Sequence, residues 1–144
     1  MTDDVQRLAD IQAITQLKAW YCRCVDTKDW SGYASCLTDD TQLAGDGGTV
    51  QNGREEVVAF VSTALEHATT VHHVHNPEIT LTGPDTATAI WAMNDYVEIP
   101  LASGQPFVLR GYGHYHEEYV RTPDGWRVKS STVQRLRVDT EGEV

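Results

Sequence analysis

The spacing of apolar residues changes period once along the chain, near residue 69. Over residues 4–24, Val5, Leu8, Ile11, Ile14, Leu17, Tyr21 and Cys24 recur at gaps of three and four, which predicts an amphipathic helix. Asp26-Thr27-Lys28-Asp29 is suited to end that helix and to cap a short second one running through Cys36. Gly45, Gly47 and Gly48, within residues 39–52, predict a short hairpin or loop. Gly53-Arg54-Glu55-Glu56 then leads into a third helix carrying Val57, Val58, Phe60, Val61 and Leu65. After Thr69 the period is two, with strands predicted at 71–82, 86–99, 106–121 and 126–138. Gly83-Pro84-Asp85, Ser103-Gly104 and Pro123-Asp124-Gly125 are turn signals between them, at hairpin spacing. The expected fold is therefore α+β: a strongly curved antiparallel meander forming a cone-shaped barrel, covered by three N-terminal helices and enclosing a pocket. There is no internal repeat and no low-complexity linker, so residues 1–144 read as a single domain.

Composition narrows the function classes. Hydrophobic residues make up 40% and charged residues 22%, as in globular domains that bury a core. A formal net charge of -10 repels phosphate backbones and anionic lipid surfaces, which argues against nucleic-acid and membrane partners. The opening Met1-Thr2-Asp3-Asp4 is acidic where a secretory leader is basic, so a cytoplasmic location is expected. The odd count of three cysteines (Cys22, Cys24 and Cys36) fits reduced thiols, and the Cys22-x-Cys24 spacing is wrong for a zinc knuckle. These read as small core residues.

Candidate chemistry lies where polar groups interrupt apolar positions. In the strand 86–99 the odd positions are Ala87, Ala89, Trp91, Met93, Asp95, Val97 and Ile99, so one carboxylate falls on an apolar face. A buried charge costs several kcal/mol (of order 2–5) unless it is paired, which marks Asp95 as functional unless a bulge near Asn94 turns it outward. In Val71-His72-His73-Val74-His75-Asn76 the pattern conflicts with itself. Ile79 and Leu81 put odd positions inward, whereas Val74 puts even positions inward together with His72. A bulge at Asn76-Pro77 would reconcile the two. His73 with His75, and His114 with His116, alternate as two metal ligands from one strand would, but surface or hydrogen-bonded histidines explain them as well, and a general base ranks above a metal. Tyr21 and Asp26 turn through roughly 500° of helix, so they converge only if the helix ends between them. Each has a structural alternative, Asp26 as a helix cap and Tyr21 as a core aromatic. Tyr112, His114 and His116 share one strand face; Trp126, Val128, Ser130, Thr132 and Gln134 share another, and either could line the pocket. Trp20 and Trp30 could wall it or fill the core.

The ordered set Ile11-Gln12-Ala13-Ile14, Leu17-Lys18, Tyr21-x-Arg23, Asp26 and Trp30 resembles the SnoaL-like branch of the nuclear-transport-factor-2-like superfamily, most nearly its bile acid 7α-dehydratases. The likeness continues through His72-x-x-His75-x-Pro77-Glu78-Ile79-Thr80, Thr86-Ala87-Thr88, Trp91, Asp95 and Gly125-Trp126. The resemblance implies an apolar pocket in a homodimer or homotrimer, with neither metal nor organic cofactor. It implies catalytic roles for Tyr21, Asp26, His72 and Asp95, so it selects His72 where periodicity could not. Trp20, Trp30, His75, Trp91, Tyr112, His114 and His116 are the candidate substrate contacts, of which His114 and His116 depart from the bile acid dehydratase pattern. The activity implied is a dehydratase, eliminating water from a hydroxylated, polycyclic or steroid-like molecule with a His–Asp pair. An isomerase and a non-catalytic binding domain are the alternatives. The arginine that assists the leaving group in the related dehydrochlorinases has no evident match, since Lys129 and Ser131 occupy that region of the last strand.

Overall fold

A computed structural model describes residues 3–45 and 47–142. Helix α1 spans Asp3–Asp26 and α2 spans Trp30–Ser35. Strands β1 (Leu37–Ala44) and β2 (Val50–Asn52) form the predicted hairpin, and α3 covers Arg54–Leu65. The remaining strands are β3 (Thr69–Leu81), β4 (Thr86–Ile99), β5 (Phe107–Thr122) and β6 (Gly125–Glu141). They form one six-stranded sheet in the order β2-β1-β6-β5-β4-β3. The predicted meander is present from β3 to β6, but β1 pairs with β6 in parallel, so the sheet is mixed rather than wholly antiparallel. It is curved and open, with the helices on one face. Among the described residues no helix is long and apolar enough to cross a membrane.

The junction of α1 and α2 departs from expectation in a way that matters for the site. Helix α1 continues unbroken through Asp26, and Lys28 then takes a left-handed conformation (φ 62°) that turns the chain out of it. Asp29 is the residue that caps α2, accepting a hydrogen bond from the Gly32 N–H at 2.8 Å. Asp26 is thereby left free of capping duty.

The face that α1 turns to the sheet also differs from the predicted stripe. Val5 and Leu8 are exposed, whereas Asp10, Ile14, Lys18, Tyr21 and Val25 are buried. These five keep helical spacing, but two are charged, so a search by hydrophobicity passes over them. Each is buried with a partner. Asp10 accepts from Arg121 at 2.9 Å and from the Trp126 indole at 3.3 Å. The Lys18 ammonium, fully buried, donates to Glu117 at 2.8 Å and sits 3.8 and 3.9 Å from the ring centroids of Tyr21 and Tyr115. Tyr119 donates to the other Glu117 oxygen at 2.5 Å, and the Trp91 indole donates to Tyr119 at 3.0 Å. A buried charge pair survives when its remaining hydrogen-bonding capacity is met in this way.

Three register shifts within the β3–β6 meander decide which of its side chains face the helices. The first lies between His75 and Glu78, where Asn76 adopts a positive φ (38°), and it reverses the facing of β3 as the conflicting pattern predicts. Thr70, His72 and Val74 face inward before it; Ile79 and Leu81 do so after it. The other two lie in β6, where Lys129 and Leu136 are extra residues against β5. Trp126 and Val128 face inward before Lys129, and Ser131, Val133 and Arg135 after it. The predicted common face of Trp126, Val128, Ser130, Thr132 and Gln134 is therefore broken after Val128. Pairing of β4 with β5 has no shift from Thr86 to Ile99, so Asp95 stays on the core side, 5% exposed.

Candidate active site

Between the sheet and α1, α2 and α3 lies a cavity of about 450 Å³. Its apolar wall includes Val25, Leu43, Val61, Leu65, Val97 and Val133, and its polar groups include Tyr21, Tyr33, His72, Asp95, Tyr115 and Arg135. A mostly apolar pocket with a few convergent polar groups is the usual form of a small-molecule site.

His72 and Asp95 face each other across the β3–β4 ladder as directly paired residues. The His72 Nδ1 lies 2.7 Å from the Asp26 carboxylate, which also accepts from the His72 backbone N–H at 2.8 Å and from Thr70 Oγ1 at 3.0 Å. Lys28, placed by the turn that ends α1, donates in turn to Thr70 at 2.9 Å. Asp26 does not itself line the main cavity: it stands behind the imidazole, at the end of α1. In the unbroken α1, Tyr21 and Asp26 do not share a face, as their spacing requires: Tyr21 lines the cavity, whereas Asp26 bonds the His72 ring, which lines it too. Burial alone would raise the Asp26 carboxyl, but the hydrogen bonds from the His72 ring and backbone and from Thr70 outweigh it and hold the group below its usual range. An ionised carboxylate only accepts, so Nδ1 carries a proton, and in the neutral ring the lone pair is on Nε2. That second nitrogen lies 3.9 Å from Asp95.

Asp95 is held by Arg135, whose two terminal nitrogens donate to its two oxygens at 2.6 and 2.9 Å. The fork has room because Gly111 sits opposite: a Cβ there would fall 2.0 Å from Arg135 Nη1 and 2.4 Å from Asp95 Oδ1. The Tyr21 and Tyr33 hydroxyls are 3.4 Å apart with their rings edge to face. Burial, then the negative charge of Glu117, pushes the Tyr21 phenol well up; burial also leads for Tyr33 and Tyr115. These phenols stay protonated and can donate to an oxygen bearing developing charge. The three cysteines are buried and free, and burial raises the Cys22 thiol to about 11 and that of Cys36 to about 12, so neither is a ready nucleophile.

The other residues expected to touch substrate do not line this cavity. Trp20 lies in a separate surface groove under the Arg23 guanidinium. Trp30 bonds Glu66 and supports Tyr33 edge-on from outside. Trp91 is core, held by Tyr119. His75, Tyr112, His114 and His116 stand on the outer sheet face, because β3 before its bulge and β5 throughout turn those positions away from the helices. There His75 bonds Asn94 and His116 bonds Gln134. Among the described residues, no group of three or more His, Cys, Asp or Glu side chains is placed to hold a metal ion. Sequence reasoning missed Tyr33, Tyr115 and Arg135. Tyr115 and Glu117 were open to the alternation argument that singles out Asp95. Arg135 was not, since it reaches the cavity only through the bulge at Lys129.

A sequence model of the SnoaL-like domain matches residues 6–132, and the chain belongs to that family. A probable cyclase from Gibberella zeae is 28% identical, over 85% of this chain and 89% of its own. Two solved structures share the fold. A hexachlorocyclohexane dehydrochlorinase from Novosphingobium barchaimii superposes with a TM-score of 0.83 at 19% identity, covering 99% of this chain and 97% of its own. A provisionally named scytalone dehydratase from Novosphingobium aromaticivorans gives 0.83 at 16% identity, covering 96% and 91%.

Proposed function

We propose that this protein is a lyase that eliminates water from a hydroxylated ring compound by acid–base catalysis, with no cofactor required. The observation that carries this reading is the His72 ring: Nδ1 on Asp26 at 2.7 Å, the ring among the groups lining an apolar cavity. His72 Nε2 takes the proton from a carbon next to a carbonyl or conjugated system. Asp26 fixes the tautomer and stabilises the imidazolium that results. Tyr21, with Tyr33 behind its hydroxyl, donates to the developing oxyanion or the departing hydroxyl. An alkene and water result, and the proton on His72 returns to solvent or to the leaving oxygen. The fork with Arg135 occupies Asp95, so the leaving oxygen is assisted by Tyr21. A polycyclic or steroid-like ring, as the bile acid dehydratase likeness implies, is the finer form of the proposal.

The similarity to a probable cyclase favours a second reading, in which the same base generates a carbanion that closes a ring. Mass spectrometry of products from a panel of β-hydroxy ketones on one-, two- and four-ring scaffolds separates the two. Loss of one water supports elimination, and unchanged mass with a new ring or a moved double bond supports cyclisation or isomerisation. If no panel member turns over, the lyase reading fails.

A further inference from the structure

We propose that Gln51 is a specificity-determining residue of the cavity: its side-chain amide binds a substrate oxygen remote from the group that reacts at His72. This rests on reading the cavity as a substrate site, but not on the elimination chemistry.

His72 lies on β3 and Gln51 on β2, the two edge strands of the sheet, yet both line the same cavity. Five strand spacings separate those edges, ~24 Å along the sheet surface, and its curvature brings both to one space. On strands between them, Leu43 (β1), Val133 (β6) and Val97 (β4) supply apolar lining. A ligand that reaches from one edge to the other therefore meets polar groups at its ends and an apolar wall in its middle.

The short strand β2 turns one side chain inward. Val50 and Asn52 are exposed, whereas Gln51 is 9% exposed and pairs with Leu43, which also lines the cavity. The exposed amides beside it satisfy each other, with Gln42 donating to Asn52 at 2.8 Å. The Gln51 amide has two N–H donors and an acceptor oxygen, and it makes no side-chain hydrogen bond among the described residues. At the other end of the cavity the groups are already engaged: His72 with Asp26, Asp95 with Arg135, and the Tyr21 hydroxyl near that of Tyr33. The Tyr115 hydroxyl also makes no such bond, but it belongs to β5, inside the sheet, with the Lys18 ammonium against its ring. At the position of Gln51 a leucine would fill the same space and complete the apolar wall without the cost of burying an amide. The amide is useful there if a ligand oxygen bonds to it. Because it both donates and accepts, it takes a hydroxyl or a carbonyl. The substrate class that fits is an elongated ring framework with its reacting group at one end and a second oxygen at the other. A site built to bond such an oxygen discriminates against the analogue lacking it.

The experiment is calorimetric titration near neutral pH with two pairs of uncharged probes that differ in the far oxygen alone. They are 2-naphthol with 2,6-dihydroxynaphthalene, and 4-hydroxybiphenyl with 4,4′-dihydroxybiphenyl. In at least one pair the natural protein is expected to bind the diol roughly fivefold or more tightly, beyond the about twofold that the diol's symmetry supplies. In Gln51→Leu that preference should fall to about twofold or less, with affinity for the monohydroxy member changed by no more than about twofold. A preference retained in a Gln51→Leu protein whose circular dichroism shows it folded overturns the proposal. So does a natural protein that prefers neither diol, or that binds none of the four probes. If Gln51→Leu does not fold, Gln51→Met, which matches the glutamine in length, supplies the comparison; failure of both to fold would make the amide a structural group and overturns the proposal as well. A preference that depends on Gln51, found together with no dehydration product, removes the lyase reading and leaves the role of Gln51 in place. Dehydration with a preference indifferent to Gln51 does the reverse.

Discussion

The sheet presents histidines to two different environments. His72 faces the helices, while His73, His75, His114 and His116 occupy exposed or half-buried positions on the opposite side. On the outer face the ring partners are neutral amides, Asn94 for His75 and Gln134 for His116, and water is close by. On the inner face one ring has a carboxylate at Nδ1 and an apolar cavity around Nε2. The residue type is the same, but only the inner ring has a fixed tautomer, a counter-charge for its protonated form and protection from solvent. The charge pairs divide in the same way. Lys18–Glu117 and Arg135–Asp95 are inside, whereas Arg110–Glu141 and Arg137–Asp139 are exposed on the rim. Catalytic capacity and structural cost therefore both fall on the inner face.

Substitutions can break this contrast. The largest effect is expected at His72: His72→Ala should lower the elimination rate by ~10²–10⁴-fold with the fold retained, and Asp26→Asn should follow it closely. Near-normal turnover in either variant, followed by product absorbance, would mean that the inner histidine is no more special than the outer ones. Next in size is Lys18→Met, which leaves Glu117 buried without its cation. A loss of about 3–5 kcal/mol in urea unfolding is expected, against no more than about 0.5 kcal/mol for Arg137→Gln on the rim. Equal losses would show that burial does not separate the two sets of pairs.

Tyr21→Phe removes one donor from the cavity and should cost roughly tenfold in kcat with little change in KM, consistent with a hydrogen bond strengthened in the transition state. A rise in KM alone would assign Tyr21 to binding. Acid should act through the inner carboxylates. The hydrogen bond from Arg121 leads in holding Asp10 below its usual range, and the bonds from His72 and Thr70 do so for Asp26 against the opposing effect of burial. A depressed folded-state pKa contributes stability that is present above the unfolded value, about 3.9, and is lost as pH falls through the folded value. Melting temperature should thus be flat from neutral pH to about 5 and fall below about 4, less steeply in Asp10→Asn. A profile unaltered by that substitution would remove Asp10 from the account. The smallest effect is expected for the fourfold variant His73→Gln, His75→Gln, His114→Gln and His116→Gln, whose turnover should stay within about twofold of normal. A large loss there would move the site, or an assembly it depends on, to the outer face.

Much of the architecture was legible in the chain. Helix and strand assignments follow from the change of period, and the hairpins from their turn residues. The conflict around His72 to Ile79 foretold a bulge because two runs of alternation disagreed across a proline. Asp95 was visible because period two is unbroken from Ala87 to Asp95. His72 was singled out only by family likeness. Lys18 was invisible because a charged residue at a helical core position reads as solvated surface until its partner, ninety-nine residues away along the chain, is known.

By itself, then, the sequence determined the order of elements, the inward face of β4 and the placement of a carboxylate on it. Those properties repeat over several residues, so local spacing encodes them. The tertiary structure decided the parallel β1–β6 pairing, the transfer of capping from Asp26 to Asp29 and the arrival of Arg135 at Asp95. A bulge changes facing with a single residue and leaves no periodic trace. Lys129 sets the facing of Arg135 only because β5 lies beside it, and an ion pair forms only when distant strands bring both charges to one cavity.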